Sequence, residues 1–246
     1  MADAVIHTEN LTRKFGAFTA VDAISFSIGR GEIFGFLGAN GAGKTTAMKM
    51  LTGLLRPTSG SASVAGFDVR SEPEKIKQNI GYMSQRFSLY EDLSPKENIR
   101  FWGGIYGLDR KTLREKSARL LEALDLQEAA DTRLSSLPLG WKQKLAFSVA
   151  QLHEPKIVFL DEPTGGVDPV TRRRFWDMIY ETADNNGITV FVTTHYMDEA
   201  EYCDRISIMV DGRMAAIGTP DALKDEFGVS SIDDLFIRLV RPTPIE

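Results

Sequence analysis

Residues 38 to 45 form a glycine-rich segment that matches a phosphate-binding pattern. The segment reads Gly38-Ala39-Asn40-Gly41-Ala42-Gly43-Lys44-Thr45. It fits the spacing G-x-x-x-x-G-K-[ST], with an apolar strand predicted before it and a helix after it. The glycines let successive backbone N–H groups turn inward, and the N-terminus of the helix adds a partial positive charge. Lys44 can then reach the β- and γ-phosphates of a nucleotide, and the Thr45 hydroxyl can bind Mg²⁺. A chance glycine-rich turn is the alternative, and the strand and helix context argues against it.

A second pattern is an apolar run that ends in two acids. Residues 157–160 read Ile-Val-Phe-Leu and are followed by Asp161 and Glu162. Carboxylates buried at a strand end without a partner would be costly. Because side chains alternate along a strand, we expect the two acids to point to opposite sides. One can face Mg²⁺ through its water shell while the other faces an attacking water. Two solvated acids are the alternative, which the nearby phosphate-binding pattern disfavours.

Composition and short motifs exclude several classes of protein. The net charge of −5 at pH 7 argues against a nucleic-acid-binding protein, which would usually have a basic face. The single cysteine, Cys203, permits no disulfide within the chain and fits a reducing cytosol. The N-terminus has no signal-peptide pattern, and the apolar runs are far too short to span a bilayer. The Asn-Lys-x-Asp guanine reader of GTPases is absent from the sequence. We therefore expect membrane contact only through a partner.

The elements before residue 155 divide into a β-rich part and a helical part. Apolar strands are predicted at Ile24–Ile28 and Glu32–Leu37, and a helix from about Lys44 is predicted to stop at Pro57 and Gly60. Between residues 86 and 154 the pattern becomes helical. It begins with Ser94-Pro95-Lys96-Glu97, which has the serine, proline and glutamate of a helix start.

The last third of the chain returns to alternating strands and helices. Strands are predicted at Ile157–Leu160 and Ile188–Thr193, and a hairpin is predicted across Asp211-Gly212. This alternation predicts a parallel sheet with ligands at the carboxyl ends of its strands. The predicted fold class is α/β: a P-loop NTPase core with a parallel sheet, an N-terminal antiparallel β portion and an inserted α-helical subdomain. We expect one domain, 1–246, with a core of 1–85 and 155–246 and a helical subdomain of 86–154.

Over about residues 5 to 240 the sequence resembles the ATPase subunits of ABC transporters, whose landmarks occur in the family's order. Phe15 matches the aromatic on which adenine stacks, and Gln85 matches the glutamine that touches Mg²⁺. Asp161 and Glu162 match the metal-binding acid and the catalytic base, and His195 matches the histidine that contacts the γ-phosphate. Taken singly, Phe15 could be a core aromatic, Gln85 a surface residue and His195 a core histidine.

The resemblance implies a set of roles for these positions. ATP and Mg²⁺ are the expected cofactors, and Glu162 and His195 are the expected catalytic residues. The metal ligands implied are Thr45, Gln85 and Asp161. The nucleotide-binding set implied is Phe15, Gly38, Ala39, Asn40, Gly41, Ala42, Gly43, Lys44, Thr45, Thr46, Gln85 and Asp161.

One landmark departs from the family pattern. The signature Leu-Ser-Gly-Gly-Gln is expected to begin at Leu137, where the chain reads Leu-Pro-Leu-Gly-Trp. Residues 134–136, Leu-Ser-Ser, are an alternative that needs a three-residue insertion, so we favour the degenerate reading. The resemblance places Pro138, Leu139, Gly140 and Asp168 at a dimer interface, although Asp168 before a proline could instead be an N-cap.

The implied partners are transmembrane permease subunits and a second ABC ATPase domain with an intact signature. The expected location is the cytoplasmic, inner face of the cell membrane, with contact through the permease. The C-terminal part resembles ATPases of bacterial multidrug and antibiotic exporters, and in particular tandem chains. A soluble ABC ATPase in a non-transport process and a phosphotransferase are the competing hypotheses. We interpret Phe87, Leu89 and Tyr90 as a groove wall for the permease, and Phe101 and Trp102 as core.

Overall fold

The computed structural model describes residues 4–85 and 89–240, and all structural statements concern these residues. The strands are β1 (Ala4–Phe15), β2 (Phe18–Gly29), β3 (Ile33–Leu37), β4 (Ser59–Val64), β5 (Phe67–Asp68), β6 (Ile80–Met83), β7 (Ile157–Asp161), β8 (Thr189–Thr194), β9 (Arg205–Val210) and β10 (Arg213–Gly218). The α-helices are α1 (Lys44–Leu51), α2 (Pro73–Asn79), α3 (Pro95–Ile105), α4 (Arg110–Ala123), α5 (Leu139–Ala150), α6 (Pro169–Asn186), α7 (Pro220–Phe227) and α8 (Ile232–Val240).

Two sheets carry the fold. The N-terminal sheet is antiparallel, in the order β2-β1-β4-β5. The second sheet has the order β10-β9-β3-β8-β7-β6, in which β9 to β6 pair in parallel and β10 is an antiparallel edge strand. The predicted hairpin at Asp211-Gly212 is confirmed, and both residues have positive φ as a tight turn requires. The α/β fold class is therefore confirmed.

The parallel strands are buried on both faces, which explains their unbroken apolar sequences. In β3, Ile33 and Leu37 pack into one apolar core while Phe34 and Phe36 pack into another. The first core continues into the helices between β6 and β7, and the second joins the antiparallel sheet. The chain turns between β2 and β3 at residues 29–32, so two consecutive strands lie in different sheets.

Helices α3 to α5 lie between β6 and β7. The first of them, α3, begins with a complete capping box: the Ser94 side chain accepts from the Glu97 N–H, and Glu97 accepts from the Ser94 N–H. Ile99 of α3 and Leu145 of α5 pack in the same core as Val158 of β7. The helices are thus anchored to the sheet that carries the paired acids.

Three local predictions are wrong. Helix α1 ends at Leu51 rather than near Pro57, because the Thr52 hydroxyl bonds back to Met48 O and Gly53 turns the chain at φ 71°. Leu89 is buried in the core and cannot form a groove wall, whereas Phe101 is 40% exposed and is not a core residue. Sequence periodicity does not show which side of a helix meets the sheet, so tertiary packing decided both cases.

The aromatic residues around Phe101 form a partly exposed surface patch. Tyr90 is half exposed and meets Phe101 edge-on, with ring centroids 4.9 Å apart. Trp102 is partly buried against the core, as predicted for that residue, and lies edge-on to Phe101. Phe87 is outside the described residues. No helix in 4–85 or 89–240 is both long enough and apolar enough to cross a bilayer.

Candidate functional site

The glycine-rich segment is a tight loop between the end of β3 and the start of α1. Gly43 is the N-cap of α1 at φ 106°, and a side chain there would collide with Ala20 O of the neighbouring β2. A Cβ at Gly38 would lie 2.5 Å from Met209 O of β9. Glycine is therefore required at both ends of the loop by backbone conformation and by close approach. The loop directs the N-terminus of α1 toward the carboxyl edge of the parallel sheet.

Lys44 is the buried cation of this loop. Its Nζ donates to Gly38 O at 2.7 Å and to Ala39 O at 3.1 Å, and it lies 3.6 Å from Glu162 Oε1. The side chain is only 4% exposed. Burial lowers the pKa of Lys44, while the charges of Glu162 and Asp161 oppose that shift. The lysine thus lies between the loop and the paired acids, where it can be drawn toward a bound phosphate.

Asp161 closes β7 with its carboxylate held by two hydroxyls. Thr193 Oγ1 of β8 donates to Asp161 Oδ1 at 2.7 Å, and Thr45 Oγ1 lies 3.5 Å from the same oxygen. Burial raises the pKa of Asp161, and Thr193 opposes the shift. Nearby Tyr82 has its pKa raised to about 12 by burial and by the charge of Asp161. Thr193 was not predicted from the sequence, and its position beside Asp161 follows only from the strand pairing.

This pair of oxygens fits a magnesium site. Thr45 Oγ1 and Asp161 Oδ1 face each other at the end of the phosphate-binding loop, and Mg²⁺ prefers oxygen ligands with only one or two from the protein besides substrate phosphates. In the part of the chain that the structure describes, no cluster of three or more His, Cys, Asp or Glu side chains could hold a metal. Any ion here would therefore take its remaining ligands from phosphate oxygens and water.

Glu162 is the residue on which the predicted catalytic side chains converge. Gln85 Nε2 donates to its Oε2 at 2.8 Å, and His195 Nδ1 lies 3.1 Å from the same oxygen. The histidine contact is at ion-pair distance but lacks hydrogen-bond geometry at Nδ1. Lys44 approaches the other oxygen, Oε1. Three predicted site residues, from three distant parts of the sequence, thus meet at the carboxylate of a fourth.

The backbone at Glu162 differs from the strand that was expected to carry it. Glu162 has φ 50°, in the left-handed region, so β7 ends at Asp161 and the pleat no longer sets the direction of the Glu162 side chain. The expectation that strand alternation separates the two acids therefore has the wrong physical basis. The positive φ is held by Glu162 N–H bonds to Thr193 and by a Gly165 N–H bond to Glu162 O.

Phe15 lies at the end of β1, in the hairpin of β1 and β2 that also packs against the phosphate-binding loop. It is 47% exposed, pairs in register with Phe18, and has the Arg13 guanidinium 4.5 Å from its ring centroid. The same hairpin brings Ala20 O against Gly43. An exposed aromatic ring therefore lies a few residues along the hairpin from the phosphate-binding loop, and a core role for Phe15 is excluded.

The degenerate signature begins helix α5. Pro138 is the N-cap, with φ −56° and ψ 147° and no side-chain cap. Leu139 is 43% exposed. A Cβ at Gly140 would lie 2.6 Å from Thr171 Cγ2, so any larger residue would force the Thr171 side chain or α5 to shift where α5 meets α6. Leu134 is buried in a separate 3-10 helix. The alternative alignment on residues 134–136 would therefore place the signature in that short turn and not at the start of α5.

Asp168 is an exposed N-cap of α6. Its Oδ1 accepts from the N–H groups of Val170 and Thr171, and its Oδ2 accepts from Thr171 Oγ1 at 2.6 Å. These bonds, led by the Thr171 hydroxyl, lower the pKa of Asp168. Thr171 is also the residue that Gly140 approaches. The starts of α5 and α6 therefore lie side by side on one exposed edge.

A cavity of about 380 Å³ joins this edge to the paired acids. It is lined by Gln85, Leu139, Gln143, Glu162, Gly166 and His195, among others. The buried Gln143, one of the few residues here that keep the family's signature pattern, donates from Nε2 to Gly165 O at 3.2 Å. This bond links α5 directly to the loop that follows Glu162.

Comparisons with known proteins agree on one family. The family model described as "ABC transporter" matches residues 21–165, more than half of the chain. The chain is similar to the "Probable multidrug ABC transporter ATP-binding protein YbhF" of Escherichia coli, with 50% identity over 97% of the chain and 42% of that protein. It is also similar to the "Linearmycin resistance ATP-binding protein LnrL" of Bacillus subtilis, with 37% identity over 96% of the chain and 79% of that protein.

A solved structure supports the same fold. A chain described as "Structure of ATP binding subunit of ABC transporter" has a TM-score of 0.85 and 30% identity, covering 96% of this chain and 99% of that one. A second, "cbiO1 from clostridium perfringens", has a TM-score of 0.83 and 27% identity, covering 98% of this chain and 96% of that one. The chain spans less than half the length of the YbhF protein that it matches.

Proposed function

The chain belongs to the ABC transporter family, and from that premise we propose that its phosphate-binding loop, Asp161 and Glu162 bind ATP and hydrolyse it to ADP and phosphate. The observation that carries the proposal is the convergence of Lys44, Gln85 and His195 on the Glu162 carboxylate. A carboxylate that is 9% exposed and surrounded by polar groups can orient one water and accept its proton. Two solvated surface acids would have none of these contacts.

Each predicted residue has a place in this reaction. Adenine stacks on Phe15, the backbone N–H groups of residues 38–46 hold the phosphates, and Lys44 attracts the γ-phosphate. Mg²⁺, held by Thr45, Asp161 and Gln85, would neutralise phosphate charge. Glu162 accepts a proton from the attacking water, whose oxygen bonds to the γ-phosphorus as the bond to the ADP oxygen breaks.

The test is to incubate the purified chain with ATP and Mg²⁺ and no acceptor. ADP and inorganic phosphate should appear in equal amounts, because water is the only nucleophile needed. Release that requires an added acceptor would instead support a phosphotransferase and would refute hydrolysis. A chain with no affinity for ATP under any condition would refute the site itself.

We further propose that the chain acts opposite a second ABC ATPase domain that has an intact signature. The support is the start of α5: Pro138 has no hydroxyl and no N–H, and Leu139 has bulk where the family has glycine. Leu139, Trp141 and Val170 are exposed apolar residues beside the exposed Asp168, which fits a face that becomes covered. In such a pair, this chain's phosphate-binding loop meets the intact signature of its partner.

We also propose that the assembly drives a membrane exporter from the cytoplasmic side, with the segment 86–154 as the helical subdomain that contacts the permease. The described relatives are named as multidrug and linearmycin-resistance ATP-binding proteins. The contact surface proposed is the exposed pair Tyr90 and Phe101, which form one aromatic patch.

The permease contact can be tested by co-purification of this chain with the membrane proteins of its native host. Tyr90→Asp and Phe101→Asp should each abolish the complex while ATP binding stays intact. Ile237→Asp, at an exposed apolar residue of α8, is the matched control. An unchanged complex with both patch variants would place the contact elsewhere, and a chain that never binds a membrane protein would favour a non-transport process.

A further inference from the structure

A fully buried carboxylate lies behind the paired acids and belongs to none of the predicted sites. Glu199 is 0% exposed, in the 3-10 helix Met197–Tyr202 that follows β8. Its Oε1 accepts from Thr164 Oγ1 at 2.5 Å and from Trp176 Nε1 at 3.4 Å. Its Oε2 has no hydrogen-bond partner among the described residues. A buried carboxylate with one oxygen left over costs stability, so stability alone does not account for Glu199 at this place.

One side of this carboxylate holds the turn after Glu162. Thr164 is two residues beyond Glu162 and is 1% exposed. Gly165 N–H donates to Glu162 O at 3.2 Å within the same turn. Glu162 itself has the left-handed φ of 50°, a conformation that persists only where the surroundings fix it. The bond from Thr164 to Glu199 anchors this turn to another part of the chain.

On its other side, the Glu199 carboxylate lies next to the side chains that pack against His195. Arg172 Nε lies 3.8 Å from Glu199 Oε1, at ion-pair distance without a hydrogen bond, and Arg172 Nη1 donates to the exposed Asp198 Oδ2 at 3.3 Å. The Arg172 guanidinium lies 4.3 Å from the Tyr196 ring centroid, and the Tyr196 ring lies 4.2 Å from the His195 ring. Glu199, the buried member of the two acids beside Arg172, therefore helps to hold a stack of Arg172, Tyr196 and His195. The stack ends where His195 Nδ1 approaches Glu162 Oε2 at 3.1 Å.

We propose that Glu199 is a positioning residue that sets the relative placement of Glu162 and His195. One carboxylate holds both the turn after Glu162, through Thr164, and the His195 stack, through Arg172. The contacts close a ring that runs from Glu162 to His195, Tyr196, Arg172, Glu199 and Thr164 and back along the backbone. The positioning role of Glu199 is inferred from these contacts alone. Only the expected effect on ATP turnover rests on the proposed ATP hydrolysis.

The first test measures placement without any reaction. The chain has three histidines, so the ring C–H resonances of His7, His153 and His195 can be followed separately by NMR in the whole chain. Thr164→Val removes the hydroxyl and keeps the shape, and Glu199→Gln removes the charge that attracts Arg172. Both variants should shift the His195 resonance, because its ring moves relative to Tyr196, and should leave His7 and His153 unmoved.

The second test measures ATP turnover in the same folded variants. Thr164→Val and Glu199→Gln should lower kcat by about tenfold to a hundredfold, because small misplacements of catalytic groups have effects of that size. ATP affinity should not fall in parallel. Thr164→Ser, which keeps the hydroxyl, should retain turnover, and Glu201→Gln is the control because Glu201 pairs with Lys224 at the surface, away from the Glu199 contacts.

The outcomes separate the two proposals. An unshifted His195 resonance in folded Thr164→Val and Glu199→Gln overturns the positioning role whether or not the chain hydrolyses ATP. Equal losses in Thr164→Ser and Thr164→Val would also overturn it, since packing and not the hydroxyl would then matter. A shifted His195 resonance in a chain with no turnover at all supports the positioning role and refutes ATP hydrolysis.

Discussion

The degenerate signature can be restored with the double substitution Pro138→Ser and Leu139→Gly, and we expect this change to increase ATP turnover by the chain alone. The backbone already suits serine. Pro138 has φ −56° and ψ 147°, close to the φ −76° and ψ 166° at which Ser94 caps α3 in this same chain. A serine at 138 can therefore cap α5 without moving it, and its hydroxyl points out of an exposed helix start.

The expected magnitudes differ for stability and for turnover. The new cap should stabilise α5 by about 1 kcal/mol, and glycine at the next position should destabilise it by about 1 kcal/mol. The free energy of unfolding should therefore change little. A donor supplied to a developing phosphate charge contributes about 3 kcal/mol, which corresponds to about a hundredfold in rate. Turnover by the chain alone should rise by up to that factor, because each copy now offers a competent signature to the other.

The assay is phosphate release by the purified chain at increasing protein concentration. The unmodified chain should turn over slowly, and the double variant should turn over faster and cooperatively with concentration. Pro138→Ala, which changes the cap position without adding a hydroxyl, is the matched control and should show no such gain. Robust cooperative hydrolysis by the unmodified chain would refute the reasoning, as would a folded double variant with no gain.

Three further predictions concern binding and stability. Lys44→Ala should weaken ATP binding itself, measured by titration calorimetry, because the proposed site uses this buried cation to attract the phosphates. Burial lowers the pKa of His153, so the unfolded chain takes up a proton first, below about pH 6.5. The free energy of unfolding should therefore be highest above that pH and fall as the pH drops toward the folded-state pKa. His153→Phe should flatten this dependence in urea unfolding, and His7→Gln should not. Gly140→Ala should lower the free energy of unfolding by about 1 to 3 kcal/mol, because the added methyl meets Thr171 Cγ2 at 2.6 Å.

Each of these three predictions would be contradicted by a specific result. Unchanged ATP affinity in Lys44→Ala would remove the lysine from phosphate binding. Equal pH dependence in the His153→Phe and unmodified chains would assign the acid sensitivity to other groups. A neutral Gly140→Ala would mean that α5 can move away from α6 at no cost.

Local patterns predicted the parts of the site that depend on neighbours in sequence. The loop at 38–45, the capping box at Ser94 and the hairpin at Asp211-Gly212 were all predicted, because each rests on conformational preferences of a few adjacent residues. The resemblance to a family added the distant partners, among which Gln85 and His195 do meet at Glu162.

The features that were missed depend on contacts between distant residues. In the sequence, Glu199 is one acid among several in a polar stretch. Only the fold shows that it is buried and accepts a hydrogen bond from Thr164, 35 residues away, in the turn after Glu162. Leu89 is buried and Phe101 is exposed, the reverse of what was expected, because tertiary packing and not local sequence decides their burial. The positive φ of Glu162 interrupts strand alternation, which no periodicity in the sequence could reveal.

The central claim is that Glu162 acts on water rather than on nucleotide affinity. The direct measurement compares phosphate release and bound nucleotide for the unmodified chain and Glu162→Gln, both in the assembly with the membrane partner. The account predicts that Glu162→Gln retains bound ATP while phosphate release falls by about a hundredfold or more, as expected for loss of a general base. Undiminished phosphate release by Glu162→Gln would contradict the account and leave the convergence on this carboxylate without a catalytic role.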